Sequence, residues 1–163
     1  MKNSLKNLSE IIEIKNKLKS ENKKIVFTNG CFDIIHAGHV DYLIKAKKQG
    51  DVLIVGLNSD DSIRRLKGES RPIVPQTERA FILNNLKPVD YVVLFEEETP
   101  INLIEKIVPD ILIKGGDWKI DNIVGKDVVE KSGGVVKTIE FVTAQSTTNI
   151  IQKVIDTHNE RKN

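Results

Sequence analysis

The chain has 163 residues, of which 39% are hydrophobic and 29% charged, and its 25 basic and 23 acidic residues leave a formal net charge of +2. This length and composition predict one soluble globular domain, and the near-neutral charge argues against nucleic-acid binding and membrane-surface binding. The single cysteine excludes an internal disulfide, no apolar run approaches the ~20 residues of a membrane helix, and the N-terminus lacks the apolar core of a secretory signal, so we expect a cytoplasmic protein.

Short apolar runs alternate with helical patterns along the chain. An amphipathic pattern with Ser9 as its expected cap opens the sequence. We treat residues 1–22 as an N-terminal helical extension, 23–158 as the main domain and 159–163 as a polar tail. The expected strands are IVFTNG (25–30), VLIVGL (52–57), DYVVLF (90–95), DILIKGG (110–116) and VVKTIEF (135–141), with helices beginning near residues 38, 59, 76, 99 and 147. The alternation predicts an α/β fold: a single doubly wound, Rossmann-like domain with a mostly five-stranded parallel sheet.

Ligands of a doubly wound sheet bind beyond the carboxyl ends of its strands, where the strand order reverses. The first such loop holds His36 and His39, two of the three histidines of the chain, at an expected helix start. Free N–H groups and the helix dipole favour an anion there, Gly30 and Gly38 allow close approach of the backbone, and imidazoles can stabilise charge that accumulates on a phosphate. The alternatives are an incidental surface pair and a zinc site, although no third zinc ligand lies nearby.

The stretch GCFDIIHAGHV (30–40) contains an H-x-G-H motif between a strand and a helix, and it resembles the first βα unit of the HxGH nucleotidyltransferase superfamily. QSTTNII (145–151) resembles the S-T-T motif of that superfamily, the alternative being an ordinary helix cap. RPIVPQTERAFIL, VDYVVLFEEETPINLI and PDILIKGGDW extend the likeness to the adenylyltransferase half of the ADP-heptose synthases, from about Lys24 to Ile155.

This resemblance implies a reaction of ATP with D-glycero-D-manno-heptose 1-phosphate, assisted by Mg²⁺, and a homodimer. In many bacteria such a domain follows a sugar-kinase domain, and because 163 residues leave no room for a kinase, we expect the stand-alone form. A glycerol-3-phosphate-type cytidylyltransferase is the nearest alternative, but its relatives carry an arginine before S-T-T where this chain has Phe141. A catalytically silent nucleotide-binding module is a third possibility. The choice of ATP or CTP, the sugar and its anomer, the metal ligands, the oligomeric state and the role of the N-terminal helix stay open.

The resemblance assigns His36 and His39 to phosphate oxygens, and Lys47 aligns with a phosphate-binding lysine, unless it belongs to a solvated helix face. These three form the expected catalytic set. The residues expected to bind the nucleotide are Thr28, Asn29, Gly30, Cys31, Phe32, Asp33, Gly38, Lys114, Gly115, Asp117, Ser146, Thr147 and Thr148. Weaker candidates for phosphate or substrate contacts are Arg71, Arg79, Asn58 and Trp118.

The acidic residues of two segments, Asp33 and the turn 96–99, have more than one interpretation. Asp33 either orients a histidine, accepts from a sugar hydroxyl or reaches Mg²⁺ through water. The EEET turn (96–99) is expected to complement a helix dipole rather than to bind a metal.

Overall fold

A computed structural model describes residues 5–116, 118–140 and 146–160, and these form a parallel sheet between helices. The strands are β1 (Leu5–Lys6), β2 (Ile25–Gly30), β3 (Val52–Asn58), β4 (Tyr91–Phe95), β5 (Ile111–Gly115) and β6 (Val135–Ile139). The helices are α1 (Leu8–Ser20), α2 (Ala37–Lys47), α3 (Asp60–Lys67), α4 (Gln76–Asn85), α5 (Ile101–Ile107), α6 (Lys126–Lys131) and α7 (Thr147–Glu160). The strand order is β1-β4-β3-β2-β5-β6, which confirms the predicted doubly wound α/β fold and adds the short strand β1 at one edge.

Each face of the sheet carries its own layer of helices, because side chains alternate along a strand. In β2, Val26 joins the core beneath α2 and α4, together with Tyr42 and Leu83. Its neighbours Ile25 and Phe27 belong to the opposite core, beneath α1, α5 and α6. Strands covered on both faces are apolar throughout, so β2 and β3 were recognisable as continuous apolar runs.

The N-terminal segment packs as part of the domain. Leu5 and Lys6 pair in parallel with Val92 and Val93 at the edge of the sheet, and Ile11 of α1 is fully buried. The cap of α1 is Asn7 rather than the predicted Ser9. The Asn7 side chain accepts from the N–H of Glu10, and the Glu10 carboxylate accepts from the N–H of Asn7, a reciprocal pair that a serine inside the helix cannot form.

Other boundaries follow the sequence closely. Ser59 caps α3, as expected, by accepting from the N–H of Ser62. The helix expected from Thr99 begins at Ile101, after Pro100. Helix α6 was not predicted, because its six residues are too few to show a helical period. Within the described residues, no helix has both the length and the apolar character needed to cross a membrane.

Candidate active site

The site lies where strands β2 and β5 separate at the centre of the sheet. The chain runs from β2 outward to β3 and β4, then returns to the other side of β2 with β5, so the strand order reverses between β2 and β5. Pairing between these two strands stops at Phe27 and Leu112, although both strands continue to their glycines. The resulting crevice opens at the carboxyl edge of the sheet, where ligands of this fold class bind.

Tyr42 of α2 fills the bottom of the crevice. Its hydroxyl lies 2.6 Å from Thr28 Oγ1 and donates to the carbonyl oxygen of Ile113 at 3.2 Å, which bridges the two separated strands. Above it, the Lys114 ammonium donates to Asn29 Oδ1 at 2.9 Å. These side-chain contacts bridge the two strands where their backbone pairing has stopped.

Substituting Tyr42 by phenylalanine tests this bridge. We expect a loss of about 1–2 kcal/mol in the free energy of unfolding, because the Ile113 carbonyl and the Thr28 hydroxyl lose a partner inside the protein. Urea denaturation measures the change. Tyr91→Phe is the matched control, since within the described residues the Tyr91 hydroxyl makes no hydrogen bond. Equal destabilisation by both substitutions would contradict the bridge.

A cavity of about 500 Å³ spans the carboxyl ends of four strands. It extends from the loop after β4, across those after β3 and β2, to the loop after β5. Of the residues predicted to bind ligand, the described ones that line it are Asn29, Gly30, Cys31, Phe32, His39, Asn58, Lys114, Gly115 and Trp118. The structure thus brings together residues from four separate segments of the chain.

His39 presents a neutral imidazole to this cavity. Burial, reinforced by nearby His36 and Lys67, lowers the pKa of His39 to about 4. The His36 backbone N–H points to His39 Nδ1 at 3.4 Å, so Nδ1 is the acceptor and Nε2 carries the proton. The two imidazole rings lie with centroids 4.0 Å apart. The His36 pKa is also lowered by burial. A neutral ring that offers Nε2–H is suited to donating a hydrogen bond to a phosphate oxygen.

Helix α7 places the S-T-T motif next to the HxGH loop. Ser146 caps α7 by accepting from the N–H of Asn149 at 3.1 Å. The Thr147 hydroxyl lies 3.5 Å from the carbonyl oxygen of Ile34, in the loop that leads to His36. Thr148 is exposed at the start of the same helix. Ser146 therefore has the capping role that was the alternative, and the helix start also lies against the HxGH loop.

Lys67 is a cavity residue that sequence reasoning missed. It ends α3 and lines the cavity, and within the described residues it forms no ion pair. Gly68 follows with φ of 91°, a conformation that turns the chain away directly after the lysine. The sequence signal was the basic stretch RRLK (64–67) after a strand of the predicted parallel sheet.

Lys47 lies at the opposite edge of the sheet, which corrects its predicted catalytic role. It is the last residue of α2, and a separation of eight residues from His39 amounts to a rise of about 12 Å along the helix. Its ammonium pairs with the carboxylate of Asp90 and donates to the carbonyl oxygen of Asp51, just before strands β4 and β3 begin. Lys47 therefore fastens the end of α2 to the amino edge of the sheet.

Asp33 and Arg71 hold the loop between α3 and α4 rather than facing the cavity. The nearly inaccessible Asp33 carboxylate accepts from the N–H groups of Ile73 and Val74 and from Arg71 Nε at 2.5 Å. Burial raises the pKa of Asp33, but the N–H groups of Val74 and Ile73 and the Arg71 guanidinium outweigh it and hold the pKa below its usual value. The three roles proposed for Asp33 from the sequence are replaced by this anchoring role.

Arg79 is fully buried and joins three loops, so it too departs from the predicted phosphate contact. Its guanidinium donates to the carbonyl oxygens of Cys31, Asn58 and Val74 at 2.6, 2.9 and 2.9 Å. Nη2 pairs with Asp60 at 2.7 Å. Because its guanidinium N–H groups donate to partners within the protein, Arg79 stabilises the cavity wall from the protein interior.

The remaining predicted residues lie either on the cavity wall or in the interior of the protein. Trp118 is 45% exposed, with the Lys114 ammonium 5.2 Å from its ring centroid. Thr28 and Gly38 are buried, Thr28 beside Tyr42 and Gly38 in the first turn of α2, so neither lines the cavity as predicted. Asp117 and Phe141 lie outside the described residues.

A doubly wound parallel sheet that carries an HxGH loop at its switch point, with an S-T-T helix start against that loop, is the architecture of an HxGH nucleotidyltransferase. A family model described as cytidylyltransferase-like matches residues 27–157. The chain belongs to this cytidylyltransferase-like family, as the H-x-G-H motif predicted.

Several proteins are similar over nearly the whole chain. The Bifunctional protein HldE of Geobacter metallireducens is 55% identical over 156 residues, which are 96% of this chain and 32% of that protein. The protein of the same name from Campylobacter concisus is 54% identical over 159 residues, 98% of this chain and 32% of that protein. The chain therefore spans about a third of the length of these relatives.

A solved structure is similar at the level of the fold and of the sequence. The lipopolysaccharide core biosynthesis protein from Thermoplasma volcanium GSS1 superposes with a TM-score of 0.61 and 32% identity. The match covers 76% of this chain and 99% of that one.

Proposed function

We propose that the chain transfers the adenylyl group of ATP to D-glycero-D-manno-heptose 1-phosphate, giving ADP-heptose and pyrophosphate. The observation that carries this proposal is the cavity at the switch point of the sheet. It is lined by His39, a neutral donor, and by Lys67, a cation with no ion-pair partner among the described residues. The identity of the sugar rests on the resemblance to the ADP-heptose synthases and on the similarity to HldE proteins.

In this reaction an oxygen of the sugar 1-phosphate attacks the α-phosphorus of ATP in line with the leaving group. A bond forms from that oxygen to the α-phosphorus, and the bond to the β-phosphate oxygen breaks with its electron pair passing to pyrophosphate. The attacking oxygen is ionised at neutral pH, so no general base is required. The protein has to position two anions and neutralise charge in the transition state.

His39 and Lys67 are placed for the second task. The Nε2–H of His39 donates to a phosphate oxygen, and the Lys67 ammonium compensates charge that moves toward the leaving group. Lys67 is also among the groups that keep His39 neutral in the free protein. His36 supports His39 through its backbone N–H and its adjacent ring.

The nucleoside is expected on the β5 side of the histidine. Gly115 lets a ligand approach the backbone there, and Trp118 offers a half-exposed aromatic ring for stacking on a base. The sugar then lies on the other side of His39, above β3 and β4.

Mg²⁺ is proposed to accompany ATP. The described part of the chain holds no group of three His, Cys, Asp or Glu side chains that could hold a metal ion. Nucleotide phosphates and water commonly supply most ligands of Mg²⁺, so the ion can accompany ATP without such a cluster of side chains. When bound, the ion supplies positive charge to the phosphates. The expected homodimer and the cytoplasmic location remain predictions.

The test measures pyrophosphate release for each combination of ATP or CTP with a heptose, hexose or glycerol phosphate. Turnover is expected with ATP and heptose 1-phosphate. Turnover with CTP alone would favour the cytidylyltransferase alternative, and nucleotide binding without any turnover would favour a binding module.

A further inference from the structure

Of the three glutamates in the acidic turn after β4, Glu98 lines the cavity. The role inferred for this residue rests on the proposed function and deepens it. Glu97 is engaged within the turn, because its carboxylate accepts from Asn102 at 2.9 Å and from the N–H of Glu96 at 3.1 Å. Glu98 lines the cavity beside Thr99, and within the described residues its carboxylate has no hydrogen-bond or ion-pair partner. The three glutamates therefore have different surroundings.

The backbone of this turn is held from β3 and α3. Ser62 Oγ donates to the carbonyl oxygen of Glu97 at 2.8 Å, and the Arg65 guanidinium donates to the carbonyl oxygen of Glu96. Ser62 also accepts from Asn58 Nδ2 at 3.0 Å, and Asn58 lines the cavity next to the turn. Glu98 is thus attached to a fixed wall, with an amide side chain as its neighbour on the adjacent strand.

An anionic side chain in a site for two phosphorylated substrates repels the phosphates, so it has to face their uncharged parts. Lys67 and Lys114 are the described cations of the cavity wall, and they suit the phosphates. A carboxylate has only acceptor atoms, and two neighbouring hydroxyl groups can donate to its two oxygens. A polyhydroxylated carbon chain is therefore the uncharged partner that its chemistry fits.

The position in the sheet assigns that partner to one substrate. Strands lie about 4.8 Å apart, so β4 is about 10 Å from β2 with its HxGH loop and about 14 Å from β5. A base or ribose held at Trp118 and Gly115 lies at the β5 end of the cavity, three strands from the turn that carries Glu98. The acceptor, which attacks from the opposite side of the reacting phosphorus, extends toward β3 and β4.

We propose that Glu98, supported by Asn58, binds hydroxyl groups of the sugar and thereby selects the sugar phosphate. It acts on substrate recognition and leaves nucleotide binding to the other half of the cavity. A hydrogen bond from a hydroxyl to a charged acceptor is strong enough to give selection of tenfold or more.

The experiment compares Glu98→Gln and Glu98→Ala with Glu96→Gln, which removes the same charge two residues earlier and outside the cavity. Steady-state kinetics give KM for heptose 1-phosphate and for ATP. We expect KM for the sugar phosphate to rise by about tenfold or more in both Glu98 variants, while affinity for a non-hydrolysable ATP analogue and the Mg²⁺ dependence stay within about twofold. Glu96→Gln is expected to match the unaltered chain.

Sugar 1-phosphates that each lack one hydroxyl separate recognition from a structural effect. The unaltered chain should discriminate against one or two of them, and Glu98→Ala should lose that discrimination. Equal effects on ATP and sugar, a shifted Mg²⁺ dependence, or retained discrimination would overturn the assignment. Heptose turnover that Glu98→Gln leaves unchanged overturns only this inference, whereas failure of the unaltered chain to use any sugar phosphate overturns the proposed function as well.

Discussion

Replacing His39 by asparagine is expected to lower kcat about 100-fold or more, since the reaction then loses a hydrogen-bond donor to the developing charge. The asparagine oxygen can still accept from the His36 N–H in place of Nδ1, so the loop should keep its shape. Glutamine, whose amide reaches the position of Nε2, should retain more activity than asparagine. Pyrophosphate release under saturating substrates measures both variants.

His158, exposed near the end of α7, offers the matched control for this experiment. His158→Asn should leave kcat unchanged. Circular dichroism and thermal unfolding of each variant separate a lost donor from a lost fold. Near-normal kcat in His39→Asn, with the protein folded, would remove the histidine from the mechanism.

Removing the charge of Lys67 is the second change with a large expected effect. Lys67→Met should lower kcat/KM by about 100-fold or more, because the cation beside His39 no longer stabilises the transferred phosphate. Lys67→Arg keeps the charge and should recover part of the rate. Arg64→Met, on the same helix but paired with Asp61 at the surface, is the matched control.

The same variant has a readout that does not depend on turnover. Lys67 is one of the groups that lower the pKa of His39 to about 4. In Lys67→Met the pKa of His39 should rise slightly, because burial and His36, the larger causes of its lowering, remain. A titration of the ring protons by NMR measures this rise. An unchanged pKa together with unchanged kcat/KM would show that Lys67 lies away from the reacting groups.

The order of strands and helices could be predicted because it depends on local patterns. Runs buried on both faces stand out as apolar segments, and the glycines and caps around them mark their ends. β1 was missed because its two residues pair with the edge strand without a pattern of their own. α6 was also missed because it is short, with only six residues.

The role of individual charged residues was predicted less well. Lys47, Asp33, Arg71 and Arg79 were all assigned to ligands, and each has a partner within the protein instead. The partner of Arg71 lies 38 residues away and that of Lys47 lies 43 residues away in sequence. No local pattern shows such a pairing, and a charged side chain next to a motif looks the same whether it faces substrate or a buried carboxylate.

The sequence by itself determined the α/β class, the HxGH loop at the first crossover and the family, because these follow from periodicity and from a short motif in its local setting. The tertiary structure alone decided that Lys67 rather than Lys47 reaches the cavity, and that Glu98 is the acidic residue of its turn that lines it. Helix length and strand order set which edge of the sheet a side chain reaches, and those distances exist only after the chain has folded.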